Sequence, residues 1–198
     1  MSDFKIHTLE SAPKGSFEIL SKAKEKYGFL PNLLGVLAES PSALKAYFTL
    51  GGLLEQTSFT PGEQQVILLA VSLENRCEYC VAAHSTVAKM QQVPPGVVEA
   101  LRNDGSVADP RLRALSQFTR TLVRNRGWVS KEEIEDFLSA GFTRAQVLEV
   151  ILAVAMKTLS NYTNHLAETP LDAPFEGAAW SARPAEGERV PAGPTVVK

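Results

Sequence analysis

Cysteine and histidine are scarce in this chain: two cysteines and three histidines in 198 residues. So few cysteines exclude a small disulfide-stapled module. No glycine-rich phosphate loop, no G-x-S-x-G and no defensible aspartate–serine–histidine pattern occurs, which leaves nucleotide and serine-hydrolase readings without a motif. Charge is balanced, 20 basic against 22 acidic residues, so no electrostatic attraction to nucleic acid or an anionic membrane is expected. The opening residues, Met1 to Glu10, lack the apolar segment of a signal peptide. The most apolar runs, 66–73 and 147–159, are too short to span a bilayer, and Glu149 and Lys157 interrupt the second. These absences predict a cytoplasmic protein with neither a nucleic-acid nor a membrane partner. In that compartment a close pair of cysteines serves redox chemistry or metal binding more often than structure.

Strand patterning is also lacking, while helix punctuation is abundant. Gly28 suits the end of a helix that Ser16 can start. Pro31 and Ser40-Pro41 open the next two. Thr60-Pro61-Gly62-Glu63 and Ser130 with Glu133 are capping boxes, Pro94-Pro95 and Asp109-Pro110 begin helices, and Thr143 starts a long apolar one. The prediction is an all-α fold, a compact bundle of about eight or nine helices. Residues 1–169 should form the helical domain. Residues 170–198, which hold five of the twelve prolines, should form an irregular Pro/Gly-rich tail packed through Phe175 and Trp180. A faint echo links Phe59-Thr60 and the apolar run after it to Phe142-Thr143 and its own run.

Both cysteines fall in Asn75-Arg76-Cys77-Glu78-Tyr79-Cys80-Val81-Ala82-Ala83-His84, a C-x-x-C-x-x-x-H pattern. On a helix the three side chains share one face. His84 is one turn past Cys80 and two turns, about 10 Å, from Cys77. Spacing therefore makes Cys80 the thiol that His84 can activate, and leaves Cys77 able to close a disulfide with it. Asn75 as N-cap with Glu78 three residues on would start this helix. A competing reading gives Cys77, Cys80, His84 and His165 to a tetrahedral metal, although the second ligand doublet is missing. His165, in the polar stretch Asn161-Tyr162-Thr163-Asn164-His165, and Tyr79 are further candidates to line a site. His7 reads as a surface residue.

The segment 77–84 resembles the signature of the AhpD-like alkylhydroperoxidase and carboxymuconolactone decarboxylase superfamily. Tyr27-Gly28-Phe29-Leu30-Pro31-Asn32-Leu33-Leu34, Asn161–His165 and Thr169-Pro170-Leu171-Asp172 resemble its peroxidase-related branch. The resemblance implies an all-α protein that assembles into trimers or hexamers. It also implies an enzyme that reduces hydroperoxides through thiols, with no cofactor. Cys80 would become the sulfenic acid, Cys77 would resolve it and donate a proton, and His84 would relay protons. An external dithiol, protein or lipoyl-type, would return the disulfide to thiols. The family's relay glutamate falls on Gln65, which cannot accept a proton, leaving Glu63 and Glu74 as substitutes to weigh. Two other functions remain open: a carboxymuconolactone-decarboxylase-like lyase and a non-catalytic dithiol redox sensor.

Overall fold

The computed structural model describes residues 3–182. Nine α-helices run through them: α1 Lys14–Tyr27, α2 Asn32–Leu37, α3 Pro41–Glu55, α4 Pro61–Glu74, α5 Glu78–Met90, α6 Pro95–Arg102, α7 Pro110–Arg124, α8 Lys131–Ser139 and α9 Arg144–Ala167. A short 3-10 helix, Ala173–Ala178, follows. No strand occurs among the described residues. No single helix among them is long and apolar enough to cross a membrane.

Helix α4 is the centre because its sequence is apolar nearly all round. Residues 66–71 are all buried, and α5, α7 and α9 close around them. Fully burying each such Val, Ile or Leu side chain contributes about 1.5–3 kcal/mol. Its start is the expected capping box: Glu63 N–H donates to Thr60 Oγ1 and Thr60 N–H donates to Glu63 Oε2. Helix α9 starts the same way with Thr143 and Gln146. The phenylalanines preceding the two caps, Phe59 and Phe142, meet with ring centres 6.0 Å apart. Phe137 stacks between Phe118 and Phe142 at 4.3 Å on each side, locking α7, α8 and the start of α9 together.

Three local expectations change. Helix α1 begins at Lys14, not at a Ser16 cap, because the buried Ser16 hydroxyl donates to Ala38 O and ties α1 to the end of α2. His7 is buried rather than exposed. Its Nε2 lies 2.6 Å from Glu39, its Nδ1 lies 2.8 Å from Ser11 O, and its backbone N–H donates to Gly35 O. A Cβ at Gly35 would sit 2.8 Å from His7 O, so only glycine lets the N-terminal segment approach this closely. The segment after Pro170 packs through Phe175 and Trp180 as expected, but it forms the short 3-10 helix where irregular chain was expected. Phe175 packs on Phe29 and Tyr79, and Trp180 packs on the main core with Nε1 donating to Arg102 O. Pro184, Gly187, Pro191, Gly193 and Pro194 of the expected tail lie outside the described residues.

Candidate functional site

The reversal between α4 and α5 places the cysteines. Arg76 adopts the left-handed conformation at φ 55°. Its N–H donates to Leu73 O, and Cys77 N–H donates to Ser72 O, so α4 ends in the paired bonds of a Schellman motif. A non-glycine residue held there costs about 1–3 kcal/mol. The turn brings α5 in at once, with Cys77 itself as N-cap. Asn75 is therefore not the cap. Its amide donates to Asn161 Oδ1 on α9, and the Glu78 carboxylate accepts from Ala182 N–H instead of closing a capping box. Cys77 and Cys80 then sit one turn apart as free thiols, 1% and 2% exposed.

The two thiols are electrically unlike. Burial opposes ionisation of Cys80, but a hydrogen bond from Cys77 and the charge and hydrogen bonding of Lys157 together overcome it. Its thiol is held well below the ordinary value. Cys77 is driven the other way, by its hydrogen bond to Cys80, by burial and by the Cys80 charge, so it stays a thiol. Asn164 Nδ2 donates toward both sulfurs, at 3.2 Å to Cys80 and 3.8 Å to Cys77. The arrangement favours the ionised form at Cys80 and the protonated form at Cys77.

His84 does not hydrogen-bond Cys80. Its Nδ1 lies 3.1 Å from Gln65 Oε1 and its Nε2 lies 2.9 Å from Lys157 Nζ. The ammonium can only donate, so Nε2 must accept, and Nδ1–H must donate to the glutamine oxygen. Burial, reinforced by the Lys157 charge, holds His84 well below its usual titration range, so the ring is neutral. Gln65 thus sits directly on the histidine. Glu63 and Glu74 do not reach it: Glu63 is committed to Thr60 and Arg111, and Glu74 to Arg120 and Arg124. Tyr79 lies beside the thiols in sequence, yet its hydroxyl donates to Asp172. That carboxylate also accepts Asn32 N–H at the start of α2. His165 is exposed, stacked on Tyr162 at 6.2 Å.

Three residues at the heart of the site, Lys157, Asn161 and Asn164, were not singled out from sequence. All come from α9, more than 75 positions beyond Cys80. The signal was present in one respect. Lys157 interrupts an apolar run and ends fully buried, 0% exposed, where lysine is almost never found without a partner.

A cavity of about 300 Å³ reaches Cys77, Asn164, His165, Glu168 and Thr169. Asn161 Nδ2, Asn164 Oδ1 and Thr169 Oγ1, all buried, have no hydrogen-bond partner among the described residues. They cluster at the thiols and the cavity, which makes this a place for a polar guest. A larger cavity of about 610 Å³, walled by Leu122, Arg124, Ile151 and Tyr162, has no contact with either thiol. Among the described residues no three His, Cys, Asp or Glu side chains converge to hold a metal ion. The expected fourfold set fails because both nitrogens of His84 are engaged and His165 faces outward.

The carboxymuconolactone decarboxylase family model matches residues 41–121, from α3 into α7. No curated protein matches the chain. Among solved structures the fold is similar to an alkylhydroperoxidase AhpD-core, peroxidase-related protein from Ralstonia eutropha JMP134. The TM-score is 0.78 and the identity 24%, with 88% of this chain and 94% of that one covered. A peroxidase-related protein from Silicibacter sp. TM1040 matches at TM-score 0.76 and 20% identity, over 88% of this chain and 95% of that one. The debrominase Bmp8, in a C82A form with 2,3,4-tribromopyrrole, matches at TM-score 0.75 and 16% identity, over 90% and 96%. The matched family segment contains both cysteines, His84 and Gln65, and the all-α bundle around it has the fold of these AhpD-core and peroxidase-related structures.

Proposed function

We propose that this protein is a thiol-dependent hydroperoxide reductase. The observation that carries the reading is the unequal ionisation of the dithiol. Cys80 is held as thiolate while Cys77, one turn away, keeps its proton. A peroxidase needs this division of labour, because the thiolate attacks and the thiol waits to resolve. The Cys80 thiolate attacks the terminal peroxide oxygen, the O–O bond breaks, and the alcohol leaves after taking a proton. Cys80 is then a sulfenic acid. Cys77 attacks that sulfur, its proton leaves with the hydroxyl as water, and the disulfide forms. An external dithiol supplies two electrons and two protons to restore the site. A lyase would need acid–base groups facing the substrate in place of this redox pair.

Intact mass and free-thiol count test this on reduced protein, before and after one equivalent of cumene hydroperoxide. Two thiols should vanish in the parent. A sulfenic species about 16 Da heavier should be trapped in Cys77→Ser and not in Cys80→Ser. Intact thiols in the parent would refute the reading. Catalytic turnover with a regenerating dithiol distinguishes an enzyme from a sensor that oxidises once.

A further inference from the structure

Lys157 is the most anomalous residue in the molecule. It is fully buried on a helix whose neighbours are apolar, and no carboxylate among the described residues pairs with it. A buried ammonium without an anion is costly, so it requires a nearby negative charge. Its Nζ sits on His84, one turn past Cys80 on α5, and the group within reach of its charge that can carry one is the Cys80 sulfur. We propose that Lys157 is the counter-ion of the Cys80 thiolate and the proton donor to the departing alcohol, and that the Gln65–His84 pair exists to hold its ammonium in place. The donor step rests on the hydroperoxide reading above; the counter-ion does not.

The geometry explains why position 65 carries an amide. A carboxylate there would favour the imidazolium form of His84, turning Nε2 from an acceptor into a second donor aimed at the ammonium. The neutral amide of Gln65 accepts Nδ1–H without charging the ring, so Nε2 keeps the lone pair that binds Lys157. Other titratable groups face this point. Cys77, Cys80 and His84 come from α5, and Tyr47 from α3 carries a hydroxyl that burial and the Cys80 charge push upward. Tyr79 is turned to Asp172, α2 carries no titratable residue, and the α9 neighbours Asn161 and Asn164 are neutral amides. Among the described residues, Lys157 is the cation whose charge acts on the Cys80 sulfur.

Proton balance closes around it. As Cys80 sulfur bonds to the terminal oxygen, the alkoxide takes a proton from the Lys157 ammonium, leaving sulfenic acid, alcohol and a neutral amine. Cys77 thiol and the sulfenic acid then condense to disulfide and water. Of the two protons brought by the reducing dithiol, one returns to Cys77 and one to Lys157, and Cys80 leaves as thiolate.

The test compares Cys77→Ser with Cys77→Ser/Lys157→Met, both checked for fold by circular dichroism and melting. If the methionine variant does not fold, Lys157→Gln, which keeps a donor to His84, carries the same test. The pH profile of Cys80 alkylation by iodoacetamide should move upward by at least about one unit without Lys157. Single-turnover oxidation is then measured at pH 7 with cumene hydroperoxide and with peracetic acid, each rate divided by the thiolate fraction. The first leaving group needs a proton and the second, a carboxylate, does not. Loss of Lys157 should slow the cumene hydroperoxide reaction about 100-fold or more and the peracetic acid reaction far less. An unmoved alkylation profile overturns the counter-ion, and equal slowing by both oxidants overturns the proton donor. If Cys77→Ser is inert to both peroxides, the hydroperoxide reading and the donor step fall together. The alkylation profile still decides the counter-ion.

Discussion

Asn164 offers a substitution in which stability and thiol chemistry should part company. Its Nδ2 donates to Cys80 at 3.2 Å, while its buried Oδ1 has no partner among the described residues. A hydrogen bond to a charged acceptor contributes about 1.5–3 kcal/mol. At 1.36 kcal/mol per pH unit, Asn164→Leu should raise the Cys80 titration midpoint by about 1–2 units. The same change removes an unsatisfied buried acceptor, whose burial costs about 1–3 kcal/mol, and fills the volume with an apolar side chain. Tm should therefore hold or rise while the Cys80 titration moves to higher pH by that amount. The assay is thiolate absorbance near 240 nm against pH in a Cys77→Ser background, beside a thermal melt under the same buffer. A folded Asn164→Leu protein with an unchanged midpoint would show that this amide does not stabilise the thiolate. A large loss of Tm would show that Asn164 is chiefly structural.

Gln65→Glu should let His84 ionise near neutral pH and add a second inflection to the Cys80 alkylation profile; a profile identical to the parent's would remove Gln65 from the relay. Glu63→Ala breaks the α4 capping box and the Arg111 pair, so it should lower stability by about 1–2 kcal/mol in urea unfolding and leave Cys80 alkylation unchanged. Stability under reducing conditions should depend on pH in opposite directions on the two sides of about 8.5, the thiol value of an unfolded chain. The depressed Cys80 contributes stability that is complete above that pH and is lost as pH falls through its folded value. The raised Cys77 contributes stability that is complete below it and is lost as pH rises toward its folded value. Between about pH 8.5 and 10, below the range where tyrosines ionise in an unfolded chain, Tm against pH should show Cys77→Ser losing the decline; a decline that persists in that window would refute the assignment.

Much of the helical layout is legible because it is written in local chemistry. Thr60-Pro61-Gly62-Glu63, Ser130 with Glu133, and Thr143 with Gln146 satisfy the exposed N–H groups of a helix start using residues three apart. The dithiol and His84 are legible for the same reason, since a spacing of three and four residues on one helix fixes which side chains share a face. That helix starts at Cys77 rather than at Asn75 because the Asn75 amide is taken by a tertiary partner, Asn161. Ser16 was misread in the same way, through its bond to Ala38.

Sequence alone thus determined the helices, the close cysteine pair and the neighbouring histidine, all of which depend on contacts within a turn or two of chain. Only the tertiary structure decided what ionises the thiol. Lys157 and Asn164 reach Cys80 from a helix that begins 64 residues later, and no local spacing encodes that crossing. It arises because the apolar faces of α4, α5 and α9 pack together, carrying one lysine and two amides into a dry interior where a thiolate is the charge that completes them.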